Sequence, residues 1–284
     1  GRGKWLGRSN GDKVRPAEVI PVVKANAEGL GARVVALTLQ KAGVETFAVS
    51  HFVEALDLRK HGVTAEILVM NGLLADQMVI AVEQGFQFFA FDEESLRNAE
   101  SAAMAVEATV GSASAGAIRS KMAKVHVKVE TGLGRLGILP GDARAMREAI
   151  DGLSHVKVVG VATHLQCPDV PKDDESTREQ FREFLQAAGI IDPAHKTEWH
   201  VAASAATLRF PDMYLDAVRV GKLCWGVTNH EPVEWGLRPV GSFKTRLVQV
   251  KRLPAGHNVG YNMHRTLARD SAIGIMPIGV VDGL

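Results

Sequence analysis

Strand-like and helix-like segments alternate along most of this chain, and that alternation leaves very few folds open to it. Apolar, β-branched runs stand at Val19–Ala25, Thr46–Ser50, Ala65–Met70, Phe86–Phe91, Lys124–Glu130, Val156–His164, Thr197–Ser204 and Ala217–Gly221. Amphipathic stretches lie between them, among them Val53–Lys60, Leu74–Gln84, Glu93–Thr109, Ala143–Leu153 and Ser176–Ala188. Asp142 stands ahead of one such stretch as a cap, and Ser176 opens Ser-Thr-Arg-Glu on another. Strands joined by helices imply βα repetition and a parallel sheet. Eight strands close a (β/α)8 TIM barrel over about 200 to 250 residues. The expected fold is therefore α/β, a barrel across residues 1–240, with an open doubly wound sheet as the alternative. After Gly241 the texture changes: Ser242–Leu253 and Ser271–Val281 read as strands around the turn Pro254-Ala255-Gly256. Residues 241–284 read as the start of a β-rich C-terminal domain, incomplete because about 40 residues are too few for an independent core.

Composition narrows the partners. Lys and Arg number 33 against 32 Asp and Glu, a net charge of +1. Such a balance offers no electrostatic reason to bind nucleic acid or an anionic membrane. No apolar run approaches the roughly 18 residues of a membrane helix. The basic start Gly-Arg-Gly-Lys-Trp-Leu-Gly-Arg lacks the apolar stretch of a signal peptide. Cys167 and Cys224 are far apart, without ligand spacing, which suits a reducing compartment. A cytoplasmic location is the expectation.

In a TIM barrel, chemistry gathers at the C-terminal ends of the strands. Lys24 ends the first run, after Val-Ile-Pro-Val-Val. An amine held at a buried strand end is costly to desolvate in its charged form, which suits a Schiff-base nucleophile. The same position equally suits a lysine that snorkels to solvent. Gly221, Gly226 and Ser204, after strands seven and eight, match a recurrent phosphate site of this fold, or serve only the turn geometry. His164 can stack on a flat cofactor or be structural. The histidines show no HxxxH, HxH or His/Cys spacing, so no metal site is expected. Ser204 lies in Ala-Ala-Ser-Ala-Ala, which is no nucleophile elbow. Gly132-Leu-Gly134-Arg-Leu-Gly137 matches a dinucleotide fingerprint only superficially, since no helix pattern opens inside it.

Val23-Lys24-Ala25-Asn26-Ala27 and Lys128-Val-Glu-Thr131-Gly-Leu-Gly134-Arg135-Leu-Gly137 are followed by Thr163-His164-Leu, His200-Val-Ala-Ala-Ser204-Ala-Ala and Val218-Arg219-Val-Gly221. Val259-Gly260-Tyr261 and Pro277-Ile-Gly279 with Asp282-Gly283 complete the series. In this order the motifs resemble those of the alanine racemase family, fold-type III pyridoxal-phosphate enzymes, from about Val19 to the end. The resemblance implies pyridoxal 5′-phosphate as cofactor, held by Lys24 as a Schiff base, and a small amino acid, alanine first, as substrate. Lys24 and Tyr261 would be the two catalytic bases, with Tyr261 reaching into the partner subunit's site in a homodimer. Arg219 would face the ring nitrogen, His164 the ring, and Ser204 with the Gly221 backbone the phosphate. Arg135 would lie near the phenolate oxygen, oriented by Lys128, which matches a lysine often carbamylated in the family. A racemase of lysine, ornithine or serine and a non-catalytic cofactor-binding paralogue are the alternatives.

The chain departs from the family pattern at several points. Glu28 stands for a phosphate-binding Tyr, Leu30 for His, Ala203 for Asn, and Val280-Val281 for an aromatic-containing pair. Lys222 replaces an apolar residue and partly offsets Glu28 beside a phosphate. Set against the family, the N-terminal strand and most of the C-terminal domain are expected to be missing.

Overall fold

The computed structural model describes residues 9–10, 13–14, 16–109, 119–228 and 236–283; the basic N-terminal octapeptide lies outside them. Two compact units divide the chain, Gly1–Arg238 and Pro239–Leu284.

The first unit holds eight parallel strands: β1 Glu18–Pro21, β2 Thr46–Val49, β3 Glu66–Val69, β4 Gln87–Ala90, β5 Ala123–Lys128, β6 Val156–Ala162, β7 Glu198–Ala203 and β8 Ala217–Val220. They hydrogen-bond in the order β1-β8-β7-β6-β5-β4-β3-β2. The ring closes where Val22 bridges Ala48 in parallel and the Val23 N–H donates to the Ala48 carbonyl at 2.9 Å. The barrel is the fold, and the open sheet is excluded. Helices α1 Ala32–Lys41, α2 Phe52–Lys60, α3 Ala75–Glu83, α4 Glu93–Thr109, α5 Ala143–Asp151, α6 Asp174–Ile191 and α7 Ser204–Arg209 follow the first seven strands.

Period-two alternation sorts each strand between two cores. Phe47, Val49, Ile67, Val69, Phe88 and Val125 face the helices. Ile20, Val22, Ala48, Leu68, Phe89, Ala162 and Ala217 fill part of the barrel interior. Other inward positions are polar, among them His126, His200 and Arg219, all buried. Groups buried there need hydrogen-bond partners.

Three local expectations need correction. Strand β1 stops at Pro21, and Lys24 opens a turn instead of ending the strand. Helix α6 begins at Asp174, because the 3-10 turn Pro171–Asp173 leads directly into it; Ser176 sits inside its first turn. Asp142 does precede α5, but its side chain makes no capping bond.

In the second unit, β9 Gln249–Leu253 pairs antiparallel with β12 Ser271–Ile275, and β10 Asn258–Val259 with β11 Arg265–Thr266. Both long strands are shorter than the apolar runs that announced them. Among the described residues, no helix is long and apolar enough to cross a membrane.

Candidate active site

At the C-terminal mouth of the barrel lies a cavity of about 380 Å³, lined by Lys24, Lys128, Arg135, His164, Ser204, Arg219 and Gly221. These seven residues come from five strand ends and the loop after β5. Tyr261 belongs to the second unit, in the turn Tyr261–Met263, and is 91% exposed there.

Lys24 is exposed at the rim, so the desolvation argument made from the strand pattern does not describe it. Its position comes from the backbone. Ala25, Asn26, Ala27 and Glu28 all have φ between 51° and 55°, one left-handed turn behind the lysine. For L-residues that conformation costs about 1–2 kcal/mol each, roughly 4–8 kcal/mol in all. The carboxylate of Glu54, on α2, holds the turn: Oε1 accepts from the Ala25 N–H at 2.6 Å. Its Oε2 accepts from the Ser50 and His51 N–H groups at 2.9 Å each, tying the turn to the end of β2. Asn26 Oδ1 accepts from the Ala32 N–H at 2.9 Å and starts α1. Sequence reasoning missed Glu54. Its signal was a carboxylate three residues into a helix that opens directly after a strand.

Arg219 is the buried cation of the site. Nη1 donates to the His200 carbonyl at 2.9 Å and to His200 Nδ1 at 2.5 Å. Nη2 donates to the carbonyls of Thr163 at 2.7 Å and Val201 at 3.1 Å, and lies 3.4 Å from His164 Nδ1. Burial pulls its pKa down to about 10, against support from Glu198, so it remains charged at neutral pH. His164 is pushed down to about 3, by burial first and by Arg219 next. It therefore stays a neutral ring.

Lys128 projects inward above Phe89, its Nζ 5.9 Å from the ring centroid. Burial, then Arg219, drives its amine well below the usual lysine range. The loop that delivers Arg135 needs glycine: at Gly137, φ is 138° and a Cβ would meet the Glu130 nitrogen at 2.6 Å. That close return lets Ile138 pair with Val129. Glu130 then accepts from the N–H groups of Gly132 at 2.5 Å and Arg135 at 2.9 Å. No helix opens in this loop, so its glycines serve the turn and not a dinucleotide.

On the opposite side, the Gly221 N–H donates to Ser204 Oγ at 3.0 Å, which leaves the serine O–H to donate elsewhere. Besides Lys128, whose charge is destabilised, four Lys or Arg side chains line the cavity against two carboxylates, Glu28 and Asp169. That imbalance suits an anionic ligand.

Fold pairing also produces a cluster that sequence spacing cannot reveal. Ligand atoms of His126, Glu198 and His200 lie within 4.8 Å of one another. Alternation alone puts Glu198 and His200 on one face of their strand, and only the pairing of the sheet brings His126 to them.

The model of the family described as alanine racemase, N-terminal domain, matches residues 9–229, and that of the C-terminal domain matches residues 240–284. The chain is 34% identical to an alanine racemase 2 of Caldanaerobacter subterraneus over 279 residues, 96% of this chain and 68% of that protein. It is also 34% identical to an alanine racemase of Symbiobacterium thermophilum over 275 residues, 93% and 68% of the two chains. Among solved structures, alanine racemase from a D-cycloserine-producing Streptomyces lavendulae superposes with a TM-score of 0.80 at 30% identity, covering 94% of this chain and 69% of that one.

Proposed function

Because this chain belongs to the alanine racemase family and is by class an amino-acid racemase, we propose that it interconverts L- and D-alanine with pyridoxal 5′-phosphate held at Lys24. The observation that carries the reading is the single cavity shared by the Lys24 amine, the buried Arg219 cation and Ser204. Relatives at 34% identity are named alanine racemases, and a Bacillus anthracis alanine racemase at 27% identity, with a TM-score of 0.74, has been solved with bound L-Ala-P.

The residues present fit the cofactor. A volume of about 380 Å³ lies within the range of roughly 300–1,000 Å³ usual for small-ligand sites. Ser204 offers a hydroxyl donor beside Gly221, where a phosphate would sit. Glu28 opposes that anion and Lys222 favours it; both line the cavity. When bound, the cofactor's aldehyde supplies the imine carbon, and its ring the sink, that make the substrate Cα–H acidic.

This chain's residues do the rest. Lys24 supplies the amine, and afterwards takes or returns the Cα proton on one face. Tyr261 does the same on the other face, reaching the cavity of a partner subunit in a homodimer. Arg219 is a permanent cation that would stand against the ring nitrogen, leaving that atom no stabilised proton. Charge then stays near Cα, and reprotonation there is favoured. Neutral His164 lines the cavity and would lie beside the ring without adding a competing charge. Lys128, a buried and readily deprotonated amine, is the group that condenses with carbon dioxide, its nitrogen bonding the carbon and losing one proton. The resulting anion would be stabilised by Arg219 and Arg135, the two cations that destabilise the lysine's own charge.

The test is circular dichroism of L- and D-alanine incubated with protein and cofactor. Each enantiomer should decay toward the racemate. A flat signal for alanine with turnover of lysine, ornithine or serine transfers the activity to that substrate, and no turnover of any amino acid leaves only cofactor binding.

A further inference from the structure

Arg219 is the first member of a hydrogen-bonded line that leaves the cavity and descends through the barrel. His200 Nε2 lies 2.9 Å from His126 Nδ1, and His126 Nε2 lies 2.7 Å from Gln87 Oε1. Gln87 Nε2 then reaches Glu66 Oε2 at 3.2 Å. Lys124 Nζ closes the lower end on both Glu66 oxygens, at 2.9 and 3.1 Å. The line spans strands β8, β7, β5, β4 and β3, and ends among the first residues of the strands, at the face opposite the cavity.

Its direction is forced. A guanidinium only donates, so His200 must present a bare Nδ1 to Arg219. The neutral ring then carries its proton on Nε2 and donates to His126 Nδ1. By the same rule His126 carries its proton on Nε2 and donates to Gln87 Oε1, whose amide donates to Glu66. Both rings are held neutral by burial first and by the Arg219 cation next; His126 is pushed down to about 3. The other titratable groups near them are Lys128 on β5 and Glu198 on β7, whose Oε1 is 3.9 Å from His200 Nε2.

A second, independent observation marks the line as built. Between His126 and His200 runs β6, and there the sequence has Gly160. A Cβ at that position would lie 2.1 Å from His126 Nδ1. The β5–β6 register also shifts at Val125/His126, opposite Gly160. Glycine thus opens the gap through which the two imidazoles touch. The donor count also accounts for the His126–Glu198–His200 cluster: no imidazole lone pair is left for a cation, and Arg219 repels one.

We propose that Gln87 and Glu66 are positioning residues for Arg219, which through His126 and His200 hold a lone pair of His200 against the guanidinium. The line's effect on catalysis rests on the racemase reading; its tautomers do not. Without Gln87, the Nε2–H of His126 loses its acceptor, so the opposite tautomer competes against the direction set by Arg219. A proton on Nδ1 faces the Nε2–H of His200, drives that ring to the other tautomer, and sets an N–H against Arg219.

Long-range proton–nitrogen spectra of ¹⁵N-labelled, cofactor-free protein read this directly. His126 and His200 should both be neutral Nε2–H rings between about pH 5 and pH 8. An Nδ1–H or doubly protonated form of either overturns the line, whatever the protein catalyses. In Gln87→Leu, the His126 resonances should become a tautomer mixture, and kcat should fall on the order of tenfold with KM little changed. The double variant Gln87→Glu, Glu66→Gln exchanges amide and carboxylate: residue 87 still accepts from His126, residue 66 donates to it, and Lys124 keeps one of its two acceptors. It should restore both the tautomers and kcat. Restored tautomers without restored kcat, or an unchanged kcat in Gln87→Leu, refute the positioning role.

Discussion

Replacing Glu54 by Gln tests whether the left-handed turn behind Lys24 is held from outside. Four L-residues in that conformation cost roughly 4–8 kcal/mol, and nothing in Lys-Ala-Asn-Ala-Glu favours it except Asn26. Each hydrogen bond to a charged group contributes about 1.5–3 kcal/mol, so three of them at Glu54 are of the size needed to offset the strain. Glutamine keeps one acceptor oxygen, which suffices for the Ser50 and His51 N–H pair. Its amide N–H then meets the Ala25 N–H, and that bond is lost. Because Ala25 is exposed, water relieves its N–H, and the cost stays near one such bond, about 2 kcal/mol. Glu54→Gln should lose that much in urea unfolding. If the relaxed turn must re-form to present Lys24, affinity for pyridoxal phosphate should also fall about thirtyfold, read from the visible band during titration. Wild-type stability together with wild-type affinity would show that the turn holds itself.

Three further outcomes follow from the same geometry. Burial first, then Glu18 and Asp216, push the Glu198 carboxyl from 4.5 up to about 8. The folded state thus binds more protons than the unfolded one between those values, and stability falls as pH rises through that window. Glu198→Gln should remove that fall, gaining roughly 3–5 kcal/mol over wild type above pH 8 and nothing below about pH 4.5; parallel melting curves would disprove it. Lys128 should carry one carbon dioxide, seen as a carbamate ¹³C resonance with labelled bicarbonate and lost in Lys128→Ala; its persistence there would place it elsewhere. Mixing inactive Lys24→Ala with inactive Tyr261→Phe should regenerate activity through mixed dimers, whereas two bases acting within one subunit give none.

What the sequence revealed, and what it hid, divides by range. Parallel strands buried on both faces leave continuous apolar runs, so all eight strands could be read from residues alone. Helix α1 did not announce itself, because Val34, Val35 and Thr38 are β-branched and weaken the helical pattern. Lys24, Arg219 and Ser204 were legible because the fold class names the strand ends as the site. The turn that aims Lys24 was not: alanine favours the right-handed helix, and only a carboxylate 29 positions away from Ala25 makes the other hand affordable. The inner line was equally hidden. His126 and His200 are 74 residues apart and carry no spacing motif. Only the closure of the sheet joins them.

Three lysines line the cavity, Lys24, Lys128 and Lys222, so the central claim reduces to which amine takes the aldehyde. Borohydride reduction of the protein with bound pyridoxal phosphate, followed by peptide mapping, answers this directly. The account predicts a phosphopyridoxyl group on Lys24 alone. A label on Lys128 or Lys222, or none, would contradict it.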